Sequence, residues 1–308
     1  MVRIGIDIGG TKVNMGLLTE EGAVLQRKKL VTRSAANPEE LVQDIAAGIH
    51  EMLENQGLTL EDVRFIGAGV PGTVDWHTGL VSYCPNLGWY DIPIGEYFKN
   101  ALGREVLVYQ DSRNGALAEK LFGAGRAFED LICITIGTGI GCGVVLGGKV
   151  LHGGMNTAGE LGHIAVIKDG EKCACGSRGC LERYVSGTAI GRIAVERFPE
   201  KFADRPKTCE EVFALALAGD QDMLGVIDEA MDNLASGLAS AVNLLSPEAI
   251  IISGGLSVYE DLVINPLRKK VYDRGYFSWT RLKKLQIITA ELGSDAPMIG
   301  AGLIDKSL

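Results

Sequence analysis

The chain has 308 residues with 46% hydrophobic and 22% charged side chains, 41 glycines and a net charge of −9. Its length allows two domains with substantial cores, and its composition is that of an ordinary soluble globular protein rich in tight turns. The acidic charge argues against a nucleic-acid partner bound through its phosphates.

The first part of the chain predicts β-hairpins followed by alternating strands and helices. Apolar runs between turn residues predict strands at residues 2–8, 13–18, 23–31, 65–70 and 105–109. Pro38 opens a helix that runs to about Leu53, because apolar residues recur there at helical spacing. A second helix is expected at residues 113–122.

The second part of the chain begins with residues 131–148, which carry no charged side chain and approach the length of a membrane span. Glycines alternate through the middle of this run, which favours two buried strands joined by a glycine turn and predicts no membrane partner. Helices are then expected at residues 188–198, 208–217, 222–245 and 259–272, with strands at 249–252 and 285–289 and a last helix from about Ala296.

This order, hairpins first and βα units after, occurs twice and predicts two similar α/β domains that face each other across a cleft. The expected domains are residues 1–112 with the C-terminal helix 295–308, and residues 113–294 with a zinc module at 160–182. The hinge is expected near residues 111–126. No secretory signal precedes the first strand and the seven cysteines are an odd number, so a reducing cytoplasm is predicted.

A possible metal site has the pattern C-x-C-G-x-x-G-C shortly after a histidine. Its candidate ligands are His163, Cys173, Cys175 and Cys180. Three thiols and an imidazole can give one Zn²⁺ a closed tetrahedral shell, which would make the zinc structural. The alternatives are a set of small buried thiols or a disulfide.

Two acidic residues flank this cysteine block. Glu160 stands one helical turn before His163, and Glu182 follows the last cysteine. The second ring nitrogen of a zinc-bound histidine is free to form a hydrogen bond. The group therefore suits a polyhydroxylated ligand, although both carboxylates would also be ordinary as solvated surface charges.

Three glycine-rich turns follow predicted strands, and such turns let backbone N–H groups donate to phosphate oxygens. They are Gly9-Gly10-Thr11-Lys12, Gly137-Thr138-Gly139 and Ser253-Gly254-Gly255. Asp7, beside the first turn, can hold Mg²⁺ through water. No turn matches a P-loop or a dinucleotide-binding pattern, and each alone is also compatible with a simple tight connection.

Asp111 stands at the C-terminal end of a predicted strand, where α/β folds bind ligands. A general base for a sugar hydroxyl must be a carboxylate or a histidine. Because a helix follows directly, Asp111 is alternatively a helix N-cap.

The sequence resembles the ROK family, whose sugar kinases belong to the actin/hexokinase superfamily. The resemblance is carried by the motifs D-I-G-G-T-K from Asp7, Pro71-Gly72, Pro85-Asn86-Leu87, E-L-G-H from Glu160, the cysteine block to Glu182, and Ser253-Gly254-Gly255. These motifs span nearly the whole chain in family order. The resemblance implies two actin-like, ribonuclease H-like domains around a central cleft, with a zinc-binding loop.

The resemblance also implies a role for each motif. Phosphate loops would be formed by Asp7, Gly9, Gly10, Thr11, Lys12, Gly137, Thr138 and Gly139, with Gly254 and Gly255 beside the adenosine of ATP and Asp7 beside Mg²⁺. Sugar would be bound by Gly72, Asn86, Gln110, Glu160, His163 and Glu182, and structural Zn²⁺ by His163, Cys173, Cys175 and Cys180. Asp111 would be the catalytic base. A homodimer or homotetramer is a family expectation.

The implied activity is ATP-dependent phosphorylation of a hexose, most often glucose at its 6-hydroxyl. Family kinases usually read Asn-Asp-x-Asn around the base, whereas this chain reads Gln110-Asp111-Ser112-Arg113. Gln110 shifts the amide that helps to bind sugar, and Arg113 brings a cation close to the site. Allose, fructose, mannose, N-acetylmannosamine and N-acetylglucosamine are therefore alternative substrates.

Two other classes of function remain. The family also contains sugar-sensing transcriptional regulators, which carry a helix-turn-helix domain ahead of the first phosphate loop. Here that loop begins at Asp7, so we expect no such domain. The altered residues around Asp111 are also compatible with a zinc-stabilised sugar-binding protein without catalysis.

Overall fold

A computed structural model describes residues 1–32, 37–276 and 284–307. The chain forms two compact units, of which the first contains Met1–Ala127, Gly143–Ala158 and Leu292–Leu308, and the second contains Phe128–Cys142 and Gly159–Glu291. Leu308, which closes the expected C-terminal helix, lies outside the described residues. The expected division into two α/β domains, residues 1–112 with 295–308 and residues 113–294, stays a prediction.

In the described part of the first unit, one mixed sheet has five strands in the order β3-β2-β1-β4-β8. They are β1 (Val2–Ile8), β2 (Lys12–Leu18), β3 (Val24–Val31), β4 (Val63–Val70) and β8 (Leu107–Gln110). β1 is antiparallel to β2 and parallel to β4, which is in turn parallel to β8. Asp7 is level with Gly69, and Val70 with Gln110. The carboxyl ends of three strands therefore share one edge.

Helices cover both faces of this sheet. Helix α1 (Pro38–Glu54) begins after Asn37, whose side chain accepts the Glu40 N–H, and its buried apolar residues join the core of Ile4, Ile6 and Ile8. Because side chains alternate along a strand, Gly5 points to the other face. There, a Cβ on Gly5 would overlap the Met298 carbonyl in the last helix. Glycine thus allows close packing of helix and sheet.

A three-stranded sheet and a helix follow β4 and were not predicted. The strands are β5 (Thr73–Asp75), β6 (Leu80–Cys84) and β7 (Trp89–Ile92), and the helix is α2 (Ile94–Leu102). These strands are short and partly exposed, so neither an apolar run nor a clear alternation marks them. Helix α3 (Asp111–Phe122) begins two residues before its predicted start.

The second sheet has, among the described residues, five strands in the order β11-β10-β9-β12-β13. They are β9 (Leu131–Ile136), β10 (Ile140–Leu146), β11 (Lys149–Val150), β12 (Ala249–Ser253) and β13 (Gln286–Thr289). β12 is parallel to β9 and β13, with Ser253 level with Thr135. The uncharged run is thus two strands, as predicted, and no helix in the described ranges is long and apolar enough to span a membrane.

Of the remaining helices, the short α4 was not predicted, and the others lie close to predicted positions. They are α4 (Glu182–Val185), α5 (Gly187–Arg197), α6 (Cys209–Leu217), α7 (Gln221–Leu245), α8 (Asn265–Arg274) and α9 (Ala296–Ala301). The segment predicted as one helix at 259–272 differs: a 3₁₀ turn at Gly255–Val258 and a π-helical turn at Glu260–Ile264 precede α8. The predicted α/β fold class is confirmed.

Candidate functional site

The first site lies at the carboxyl edge of the sheet in the first unit. Gly9 N–H donates to the Lys12 carbonyl over 2.9 Å and closes the tight turn between β1 and β2. A Cβ on Gly10 would lie 3.2 Å from the Asn86 carbonyl oxygen. Thr11, Lys12 and Asn86 are exposed. The first glycine turn and the Pro85-Asn86-Leu87 motif therefore meet, as the family resemblance implies.

Two carboxylates lie at this edge. Asp7 accepts a hydrogen bond of 3.2 Å from the Asn14 side-chain amide. Burial, followed by repulsion from the charge of Asp111, raises the pKa of Asp7 to about 7. Proximity of the two acids follows from strand order, since β4 pairs with both β1 and β8. A carboxylate pair of this kind attracts a cation.

Asp111 is the first residue of α3, and the N-cap position belongs to Gln110, whose side chain makes no capping bond. Oδ1 of Asp111 accepts the Ser112 N–H at 2.6 Å and the Ser112 hydroxyl at 3.0 Å. Burial raises the pKa of Asp111. Gln110 is buried. Gly72 has a φ of 99°, and a Cβ there would overlap the Tyr83 carbonyl, so both the backbone angle and the packing favour glycine.

Arg113 is turned away from Asp111 toward the loop after β11. Its side chain is only 3% exposed. The guanidinium donates to the carbonyl oxygens of Asn156 and Ala158 at 2.8 Å each and lies 5.8 Å from the centre of the Tyr109 ring. The Arg113 cation, two residues after Asp111 in the sequence, therefore anchors this loop.

The second unit contains a cavity of about 590 Å³ at the carboxyl ends of β9 and β12. Its lining residues are Gly137, Thr138, Gly187, Thr188, Gly191, Arg192, Lys207, Thr208, Cys209, Glu210, Phe213, Gly255, Leu256 and Tyr259. Gly254 has a φ of 86°, and a Cβ there would overlap the Ile136 carbonyl, so this position favours glycine. The rings of Phe213 and Tyr259 stack with centroids 4.2 Å apart. The size suits a nucleoside, and the glycine turns at its mouth offer backbone N–H groups.

The two glycine turns of this cavity were predicted from the sequence, whereas the residues of its other walls were not. Gly187 and Gly191 stand one turn apart on α5, and the Gly187 N–H donates to the Gly137 carbonyl at 2.8 Å. This spacing of two glycines at a helix start was the available signal. Nothing local marks Lys207 or Tyr259, because tertiary packing alone brings their segments to the cavity.

The four predicted zinc ligands come together in the second unit. The ligand atoms of His163, Cys173, Cys175 and Cys180 all lie within 4.8 Å of one another. The Cys175 and Cys180 sulfurs are 3.6 Å apart, and Nδ1 of His163 is 3.7 Å from the Cys173 sulfur. Tetrahedral zinc with Zn–S bonds of about 2.3 Å needs sulfurs about 3.8 Å apart, so the shell fits Zn²⁺. Each of these cysteines is a free thiol, not part of a disulfide.

The acidic neighbours of this zinc loop are held by backbone groups. Glu160 precedes a 3₁₀ turn, and its carbonyl accepts the His163 N–H at 3.0 Å. Oε2 of Glu182 accepts the Ile140 N–H at 2.9 Å, just after the turn Gly137-Thr138-Gly139. A Cβ on Gly139 would lie 2.6 Å from that same oxygen. Glu182 therefore ties the zinc loop to the central glycine turn.

Two mixed sheets with packed helices and a cluster of one histidine and three cysteines that could hold a metal ion define an actin-like α/β fold. The sequence model of the ROK family matches residues 3–307. The chain belongs to the ROK family, as its motifs indicate.

Relatives in this family include kinases and regulators. A glucokinase of Thermotoga maritima is 34% identical over 313 residues, which cover 98% of this chain and 96% of that protein. The crystal structure of a ROK family glucokinase from Streptomyces griseus in complex with glucose and AMPPNP is 34% identical, with a TM-score of 0.83 and 99% of each chain covered. A putative xylose repressor of Caldicellulosiruptor sp. is 28% identical and matches 96% of this chain and 76% of its own length.

Proposed function

We propose that this protein is an ATP-dependent hexose kinase, with glucose as substrate and the 6-hydroxyl as acceptor. The observation that carries the proposal is the pair Asp7 and Asp111 at one sheet edge, beside the turn Gly9-Gly10-Thr11-Lys12. One carboxylate suits a metal-bound phosphate and the other suits a sugar hydroxyl. The similarity to glucokinases supports this assignment.

Asp111 acts in this proposal as the general base. Burial raises the pKa of its carboxyl, which makes it a stronger base than an ordinary aspartate. Ser112 occupies one carboxylate oxygen with two hydrogen bonds and fixes its direction. The other oxygen is then oriented to take the proton of the acceptor hydroxyl. Gly72, Asn86 and Gln110 bind further sugar hydroxyls around this position.

The first glycine turn and Asp7 serve the phosphate groups. Gly9, Gly10, Thr11 and Lys12 offer backbone N–H groups and one ammonium group to the phosphates. Asp7 would hold Mg²⁺ through water, and the ion would supply positive charge beside the transferred phosphoryl group. The charge of the bound cation would favour the ionised form of Asp7.

Residues of the second unit bind the rest of both substrates. Nucleoside occupies the 590 Å³ cavity, bordered by Gly254 and Gly255, with phosphates at Gly137, Thr138 and Gly139. Glu160, His163 and Glu182 accept and donate hydrogen bonds to sugar hydroxyls. Zinc held by His163 and the three cysteines of the loop fixes Nδ1 of His163 and leaves Nε2 for a ligand.

The test is ADP release over a panel of glucose, allose, fructose, mannose, N-acetylmannosamine and N-acetylglucosamine. Wild type is expected to turn over glucose, and Asp111→Asn to lose about 10²–10⁴-fold in kcat while still binding the sugar. Ser112→Ala is the matched control, with a smaller loss. No turnover of any sugar by wild type, or equal kcat in wild type and Asp111→Asn, would overturn the assignment.

The same panel separates the alternatives. Because of Gln110, another hexose or an N-acetylhexosamine is the second candidate substrate. That substrate is favoured if its kcat/KM is higher than that of glucose. The similarity to a putative xylose repressor motivates a sugar-sensing regulator. Sugar-dependent retention of specific DNA at physiological salt, without kinase activity, would favour the regulator. The homodimer or homotetramer and the cytoplasmic location stay predictions.

A further inference from the structure

A network of half-buried charges lies between the zinc loop and the nucleoside cavity, entirely within the second unit. Its centre is Glu171, which stands two residues before the zinc ligand Cys173. Glu171 accepts hydrogen bonds from Arg192 at 2.8 Å and from Arg183 at 3.0 Å. Its backbone N–H donates to the Tyr184 hydroxyl at 2.7 Å. The entry to the zinc loop is therefore held by three side chains from α4 and α5.

Arg192 belongs to the cavity as well as to this network. It lines the cavity next to Gly191 on α5, together with Thr188 and Gly187. Its guanidinium donates to Glu171, to the Arg183 carbonyl at 3.0 Å and to Glu196 at 2.8 Å. Nε of Arg192 is buried without a hydrogen-bond partner. The side chain is thus fixed on three sides and forms part of the wall that a bound ligand would touch.

We propose that Arg192 is a positioning residue that couples the nucleoside cavity to the zinc loop, so that a bound nucleotide slows the loss of zinc. This inference rests on the proposed function, because the ligand of the cavity is taken to be ATP. A ligand that fills the cavity restrains α5 and the Arg192 side chain. Arg192 in turn holds Glu171, and Glu171 is joined through one residue to Cys173.

Coupling of two binding events is reciprocal, and coupled sites typically affect each other by about fivefold or more. Breaking the ion pair between Arg192 and Glu171 removes the connection between the cavity and the zinc loop. It leaves all four zinc ligands and the glycine turns in place. Arg192 therefore differs from a residue that only stabilises the fold, whose loss would speed zinc release equally with and without nucleotide. The ratio of the two release rates is the quantity that identifies coupling.

The experiment follows transfer of zinc from the holoprotein to the chromogenic chelator 4-(2-pyridylazo)resorcinol, with and without saturating Mg·AMPPNP. In wild type, AMPPNP is expected to slow zinc release about fivefold or more. In Arg192→Met and in Glu171→Gln the ratio should fall to about one, and Arg192→Lys should restore part of it. Glu196→Gln is the matched control, because it removes the charge of an ion-pair partner of Arg192 that lies on α5 itself.

Calorimetry with AMPPNP distinguishes the possible failures. If AMPPNP does not bind wild type, both the nucleotide site of the proposed function and this inference are overturned. If AMPPNP binds but the release ratio in Arg192→Met equals that in wild type, only the coupling is overturned. Should Arg192→Met fail to fold, Glu171→Gln gives the same decision, since it removes the negative charge that Arg192 pairs with and leaves Arg192 in place.

Discussion

Replacing Asp7 by asparagine is expected to stabilise the protein at neutral and alkaline pH in the absence of magnesium. Burial and the nearby charge of Asp111 raise the pKa of Asp7 from 3.8 to about 7. The ionised carboxylate is therefore unfavourable in the folded state. Asparagine has nearly the same shape, carries no charge and can still accept the hydrogen bond from the Asn14 amide.

The magnitude follows from the pKa shift. A change from 3.8 to about 7 corresponds to an upper limit of about 4 kcal/mol, and solvent contact of the partly exposed side chain reduces the effect to about 2–4 kcal/mol. Because the folded-state pKa is raised, wild-type stability falls as pH rises from about 4 to about 7 and then levels off. The advantage of Asp7→Asn grows over that same window and is absent below pH of about 4.

Thermal unfolding of both proteins between pH 4 and pH 8 measures this difference. For a chain of this size, about 1 kcal/mol shifts Tm by about 2 °C, so the variant should melt about 4–8 °C higher at pH 8. The buffer must lack magnesium, since a bound cation would neutralise Asp7. A Tm difference that does not change with pH, or a more stable wild type at pH 8, would refute the reasoning.

Two further predictions concern packing and the loop after β11. Gly300→Ala should lower the free energy of unfolding by about 1–3 kcal/mol, because its Cβ would overlap the Asn114 carbonyl. Gly225→Ala, at an exposed helix position with free space, should raise the free energy of unfolding by about 0.5–1 kcal/mol. Similar denaturant midpoints for the two variants would contradict the prediction. Arg113→Asn should speed amide hydrogen exchange in residues 152–158 about tenfold, because bonds to two carbonyl groups are lost; unchanged exchange there would contradict it.

Much of the architecture could be predicted because it is recorded in local patterns. The turn Gly9-Gly10-Thr11-Lys12 and the alternating glycines after Leu131 mark hairpins whose backbone demands small residues. The cluster of His163, Cys173, Cys175 and Cys180 could be predicted for the same reason, since all four residues lie within one short segment. In each case, residues close in sequence are also those close in space.

What could not be predicted depends on contacts between distant segments. Arg113 reaches carbonyl groups 43 and 45 residues away, so its sequence position beside Asp111 gave no indication of its direction. The cavity wall also includes segments around Lys207 and Tyr259, neither of which has a motif of its own. The strands β5 to β7 have only 3, 5 and 4 residues, which is too short for a pattern of alternating side chains to be recognised.

The ion pair between Arg3 and Asp305 has a consequence for biosynthesis. Arg3 is 2% exposed, and its guanidinium donates to both oxygens of Asp305, 302 residues later, and to the Gly302 carbonyl. At a translation rate of about 5–20 residues per second, a nascent chain waits roughly 15–60 s between making the cation and making its partner. During that time Arg3 can pair with the Glu20 carboxylate, but its bonds to Asp305 and to the Gly302 carbonyl form only when the C-terminal segment packs against the first strand.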